Sequence, residues 1–107
     1  MLSVRAVLPD SLYREDEMEK IIITVVGKDR VGIIARVCTY LSENQINILD
    51  ITQTIVSDMF NMMVIADITK SEKPFETIAD ELKELGDEMG LRILAQKEEI
   101  FTAMHRI

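Results

Sequence analysis

Two segments of this 107-residue chain are apolar on both of the faces that an extended backbone presents. Between Lys20 and Val26, Ile21, Ile23 and Val25 share one parity, and Ile22 and Val26 share the other. In the run that begins at Phe60, Phe60, Met62 and Val64 alternate with Met63 and Ile65 in the same way. Successive side chains of a strand point to opposite faces, so each run predicts a strand that must be covered on both sides and is central in its sheet. Whatever fold the chain adopts has to supply two layers of cover.

The remaining pattern says where one layer comes from. Ile33, Ile34, Val37, Cys38 and Leu41 recur at three- and four-residue spacing, predicting an amphipathic helix from about Val31 to Glu43, ended by Asn44 and Gln45. Ile46 to Ser57 alternates as a long strand, with Leu49, Ile51 and Ile55 on its more apolar face. Ser57, Asp58 and Met59 are short enough for a hairpin loop leading into Phe60 to Thr69. Ser71, followed three residues later by Pro74, predicts a helix start with Ser71 as the cap. Phe75, Ile78, Ala79, Leu82, Leu85, Gly86 and Met89 form the next helical stripe, and Gly90 stops it. Leu91 to Gln96 alternates as a last strand, and Ile100, Phe101, Met104 and Ile107 predict a short C-terminal helix.

The order β-α-β-β-α-β predicts an α+β fold, the ferredoxin-like four-stranded antiparallel sheet with both helices on one face. Right-handed crossovers place the first and third predicted strands side by side at its centre. Two helices cover one face only, so the other apolar face calls for a partner, most simply a second copy of the chain. Ahead of this, residues 1–17 lack periodicity and contain Pro9, Asp10 and the charged run Arg14 to Glu17, which predicts a loose N-terminal extension to a domain spanning residues 18–107. The alternative is an arm packed through Leu8, Leu12 and Tyr13.

Composition narrows the function. The formal net charge of −7 repels phosphodiester backbones and leaves no basic stripe, which argues against nucleic acid. No apolar run approaches the ~20 residues of a membrane-spanning helix. One cysteine, Cys38, and one histidine, His105, build neither a disulfide framework nor a cysteine-based metal cluster, so no cofactor or metal is implied and a reducing cytoplasm fits best. Cys38 reads as core, His105 as surface, and Met59, Met62 and Met63 as sheet packing. Glu76, Asp80, Glu84 and Glu88 line one helix face, either solvated or turned to a basic partner.

The candidate chemistry lies in two short motifs, Gly27-Lys28-Asp29-Arg30-Val31-Gly32-Ile33 before the first helix and Asn47-Ile48-Leu49-Asp50-Ile51 at the start of the second predicted strand. Glycines let backbone approach a ligand closely, and a helix N-terminus presents free N–H groups to a carboxylate. The element order together with these motifs resembles the ACT domain, a small regulatory module that senses amino acids. With the ending Glu99 to Ile107, the chain resembles in particular the small stand-alone ACT proteins related to the transcriptional regulator of the glycine cleavage system.

The resemblance implies a non-enzymatic protein that binds an amino acid or related small metabolite at Asp29, Arg30, Val31, Gly32, Ile33 and Asn47, and signals to a protein partner. Asp29 and Asn47 would contact the amino acid, and the expectation is that the fold brings the two motifs together. Asp29 stands where the serine-sensing type has an amide, and Val31 where many members have proline. Read from the residues alone, Asp29 fits a helix cap equally well, Asn47 a turn, and Lys28 and Arg30 solvated cations paired with Asp29 and Asp50. Other functions are weaker. Arg30 and Asn47 superficially match acylphosphatases, but Asp29 would set a carboxylate beside the phosphoryl group. An RNA-recognition module needs stacking aromatics, and Phe60 is the only one on the central strands. A dimerisation module without a ligand is the closest rival.

Overall fold

A computed structural model describes residues 2–5 and 18–99. Its elements are β1 (Leu2–Arg5), β2 (Lys20–Lys28), α1 (Ile33–Glu43), β3 (Asn47–Val56), β4 (Met59–Asp67), α2 (Phe75–Met89) and β5 (Arg92–Lys97). The sheet order is β1-β3-β4-β2-β5, with every neighbouring pair antiparallel. Strands β2 to β5 with the two helices are the ferredoxin-like βαββαβ fold, and β2 and β4 are its central strands as their two-sided apolarity requires.

Both helices pack on one sheet face. Ile33, Val37 and Leu41 of α1 and Ile78, Leu82, Leu85 and Met89 of α2 close over Ile21, Ile23, Val25, Phe60, Met62, Val64 and Ala66 in a single core. Burying each of these aliphatic side chains contributes ~1.5–3 kcal/mol, which is what holds helix to sheet. The opposite face carries the other parity of the same strands. In register across it lie Thr52, Met63, Thr24 and Leu94, and next to them Ile65 and Ile22. Met63 is 39% exposed and Leu94 47%.

Three local readings are corrected, and one pairing is added. Leu2–Arg5 of the N-terminal segment pairs with β3, from Leu2 opposite Gln53 to Arg5 opposite Asp50, because an edge strand offers unpaired N–H and C=O groups to any extended segment within reach. The rest of the N-terminal segment, and the terminal helix expected over residues 100–107, lie outside the described residues. Strand β3 does not keep one parity: its register against β4 shifts between Ile48 and Asp50, so Ile48 and Ile51 both reach the core and Leu49 is the bulged residue. The loop after it is two residues, Ser57 and Asp58, with φ of 49° and 68°, a type I′ hairpin turn that returns the chain at Met59. Ser71 does not cap α2; its Oγ accepts the N–H of Lys73, and Pro74 occupies the cap position in extended conformation.

Candidate functional site

The loop between β2 and α1 holds four of the six predicted site residues, and a fifth, Ile33, opens α1. Gly32 is the N-cap of α1, with φ of 92°, a left-handed conformation that glycine adopts without strain. Asp29 therefore does not cap the helix. A Cβ built on Gly32 would meet nothing within 4 Å, so a side chain there would stand in open space. The first intrahelical bond runs from the Arg36 N–H to the Gly32 carbonyl, and N–H groups ahead of it have no intrahelical partner. No side chain of the cap residue bonds to them and no acidic residue stands in the first turn, so α1 itself carries nothing that offsets the partial positive charge of its end. Val31 is fully exposed and Ile33 is buried in the core, so these neighbours split between surface and anchor.

The loop is held from two sides. The Asp29 N–H donates to the Asp58 carbonyl at 2.8 Å, tying it to the hairpin turn. The Arg30 guanidinium donates through Nη1 to the Met89 carbonyl at 2.5 Å, at the C-terminal end of α2. Arg30 is thus engaged with backbone and not with Asp29 or Asp50, while Asp50 Oδ1 accepts the N–H of Ile51. At the root of the loop, Gly27 backs onto Leu91: a Cβ there would fall 3.3 Å from the Leu91 Cα. Three separate segments meet at this end of the sheet.

Asn47 is not among them. It opens β3 opposite Asp67, which pairs with Lys20 at the start of β2, whereas the loop follows Lys28 at the far end of that strand. Eight residue steps at ~3.3 Å put roughly 25 Å between the two motifs within one chain. The expectation that the fold joins them fails for a topological reason. A crossover through a helix returns the next strand parallel to the first, so the start of β3 lies beside the start of β2.

Away from this loop, Glu81 Oε1 accepts the Tyr40 hydroxyl and the Lys73 ammonium, both at 2.7 Å, linking α1 to α2. The bonds from Lys73 and Tyr40 hold the Glu81 carboxyl below its ordinary value. Burial first, and then the Glu81 carboxylate, push the Tyr40 phenol up. Cys38 packs half-buried against the core, where burial raises its thiol, as expected for a packing residue. Among the described residues no cluster of three His, Cys, Asp or Glu could hold a metal ion, and no helix is long and apolar enough to cross a membrane.

The family model that matches residues 19–96 is that of the ACT domain. The chain belongs to the ACT-domain family. A UPF0237 protein of Bifidobacterium longum is 59% identical over 90 residues, 84% of this chain and all of that protein, which places the chain in the UPF0237 group of small ACT-domain proteins. A solved ACT domain protein from Streptococcus pneumoniae is 36% identical, with a TM-score of 0.70 over 78% of this chain and 94% of its own. A structure named as a candidate glycine cleavage system transcriptional repressor is 22% identical, with a TM-score of 0.67 over 75% of this chain and 46% of its own, and shares the fold. The match begins at residue 19, so β1 lies outside the matched stretch.

Proposed function

We propose that this ACT-domain chain is a non-enzymatic regulatory protein of the cytoplasm. It binds an amino acid or related small metabolite at the Asp29–Ile33 loop near a homodimer interface and signals to a protein partner. The observation that carries the reading is the open, uncapped N-terminus of α1 behind Gly32, which suits a ligand carboxylate. Asp29 beside it offers a carboxylate for a ligand ammonium. The family resemblance names Asn47 as a second contact, and at roughly 25 Å it reaches this loop only from another copy. A second copy packed on the outer sheet face would cover Met63 and Leu94.

Calorimetry against the twenty amino acids tests binding, and mixing variants tests the shared site. Asp29→Ala and Asn47→Ala should each weaken binding by ~1–3 kcal/mol, the cost of leaving a ligand group unpaired. A heterodimer of the two variants retains one intact site and should recover half of the wild-type stoichiometry. No recovery on mixing overturns the shared site. The exposed Met63 and Leu94 of the outer sheet face favour a second reading, a dimerisation module without a ligand, and absence of heat from every amino acid would put it first.

A further inference from the structure

The two tethers on the β2–α1 loop differ in kind, and the difference points beyond ligand contact. The Asp29 tether is backbone to backbone. The Arg30 tether is a side chain spanning 59 positions in sequence to the last residue of α2. That helix end lacks a cation of its own: its last turn contains no basic residue but does contain Asp87 and Glu88, the charge opposite to what the helix dipole favours there. The chain closes the helix with Gly90 in left-handed conformation (φ 69°), the Leu91 N–H returning to the Gly86 carbonyl at 2.8 Å, and Arg30 Nη1 only 3.8 Å from where a Gly90 Cβ would stand. The missing C-terminal cation of α2 is therefore supplied by the candidate ligand loop. Arg36 of α1 reaches the same turn through Glu88 at 3.3 Å, but both partners are more than half exposed and that pair holds little.

We propose that Arg30 is a positioning residue which latches the loop to the C-terminal turn of α2, so that displacement of either one is felt by the other. In this role Arg30 passes the state of the loop to residues 86–91. This rests on the ligand-binding reading of the loop, but the latch can be tested without any ligand.

Amide exchange followed by NMR on the full chain compares wild type with Arg30→Met and Arg30→Lys. Arg30→Met should speed exchange at Gly90 and Leu91 and in residues 29–34 by about tenfold, the factor that loss of a charge-assisted bond produces, with exchange in β4 unchanged. Arg30→Lys should recover part of the protection, since it restores the cation to the helix end. Uniform acceleration across the sheet, or no change at residues 86–91, overturns the latch. In a second arm, an amino acid that binds wild type should add protection at residues 86–91, and in Arg30→Met, at concentrations that saturate the loop, it should add none there. Loss of binding in Arg30→Met with exchange at residues 86–91 intact would make Arg30 a ligand contact and overturn the proposal. If no amino acid protects wild type anywhere, the sensor reading fails, and the first arm still decides the latch.

Discussion

Replacing Gly86 by alanine sets two effects of opposite sign against each other, and the structure decides between them. Gly86 lies in the last two turns of α2, where alanine is intrinsically the better helix former by ~1 kcal/mol, and alanine also restricts the unfolded chain. On propensity alone the variant is stabilised. Gly86 is buried, however, and a Cβ on it would stand 2.8 Å from the Leu91 carbonyl oxygen, 2.9 Å from Ile93 Cγ1 and 3.2 Å from the Ile93 nitrogen. Two of these three are backbone atoms leading into β5. They cannot retreat freely, because the Leu91 N–H is bonded to Gly86 itself and β5 is bonded along β2. Helix and strand must separate, and overpacking of this kind costs ~1–3 kcal/mol, with lost burial of Leu85 and Met89 in addition. The net expectation is a destabilisation of ~1–2 kcal/mol. Thermal unfolding by circular dichroism reads this as a fall in Tm of about 4–8 °C per kcal/mol. A Tm equal to or above that of wild type would refute the claim that α2 packs on β5 through a glycine contact.

Three further expectations rest on other parts of the molecule. The outer sheet face should drive self-association: sedimentation at micromolar concentration is expected to show a dimer, and Leu94→Glu a monomer, while a wild-type monomer would remove the shared-site reading. The Tyr40–Glu81–Lys73 group should shape the pH dependence of stability at both ends. The folded state holds the Glu81 carboxyl down, so its contribution is present above the ordinary value of 4.5 and is lost as pH falls below it; the folded state holds the Tyr40 phenol up, so its contribution is present below the ordinary value of 10.0 and is lost as pH rises above it. Melting curves of Glu81→Gln and Tyr40→Phe should flatten the acid and alkaline limbs respectively, and limbs identical to wild type would contradict the assignment. A chain beginning at Met18 lacks β1 but keeps every core residue among those described, so its Tm should stay within the few degrees that ~1 kcal/mol represents.

Element order is readable from period, and that order with right-handed crossovers puts the two-sided runs Ile21 to Val26 and Phe60 to Ile65 at the centre of the sheet. What period does not carry is any event that changes it. The bulge at Leu49 inserts one residue between Ile48 and Ile51, so that residues of opposite parity face the same core. No glycine or proline marks the position, and the parity of Leu49, Ile51 and Ile55 points the other way. The pairing of Leu2–Arg5 is similarly invisible, because its partner is the unsatisfied backbone of β3, a property of the folded sheet. Ser71 and Pro74 mark the right turn, but the cap chemistry moved by a few residues, a shift that Ser, Lys and Pro together do not resolve.

The separation of Asn47 from the loop is a different kind of error, since its cause was present in the element order. Once β2, α1 and β3 are read as strand, helix and strand of one sheet with β4 antiparallel to both, β2 and β3 must run the same way. The end of one strand and the start of the next are then at opposite ends of the strands, however near in sequence. A motif pair that shares a function across such a crossover acts within one chain only if the ligand is about as long as the strands. For a ligand the size of an amino acid, the only arrangement that unites Asp29 with an Asn47 is one in which the two residues belong to different chains. A two-fold dimer that joined the two motifs would generate two such sites by symmetry. Dimer formation and site completion would then be a single event, so that a ligand binding only the assembled site would shift the monomer–dimer equilibrium by its own binding free energy. Sedimentation with and without the bound amino acid would show this as a dimer dissociation constant that falls with ligand concentration in wild type and stays fixed in Asn47→Ala.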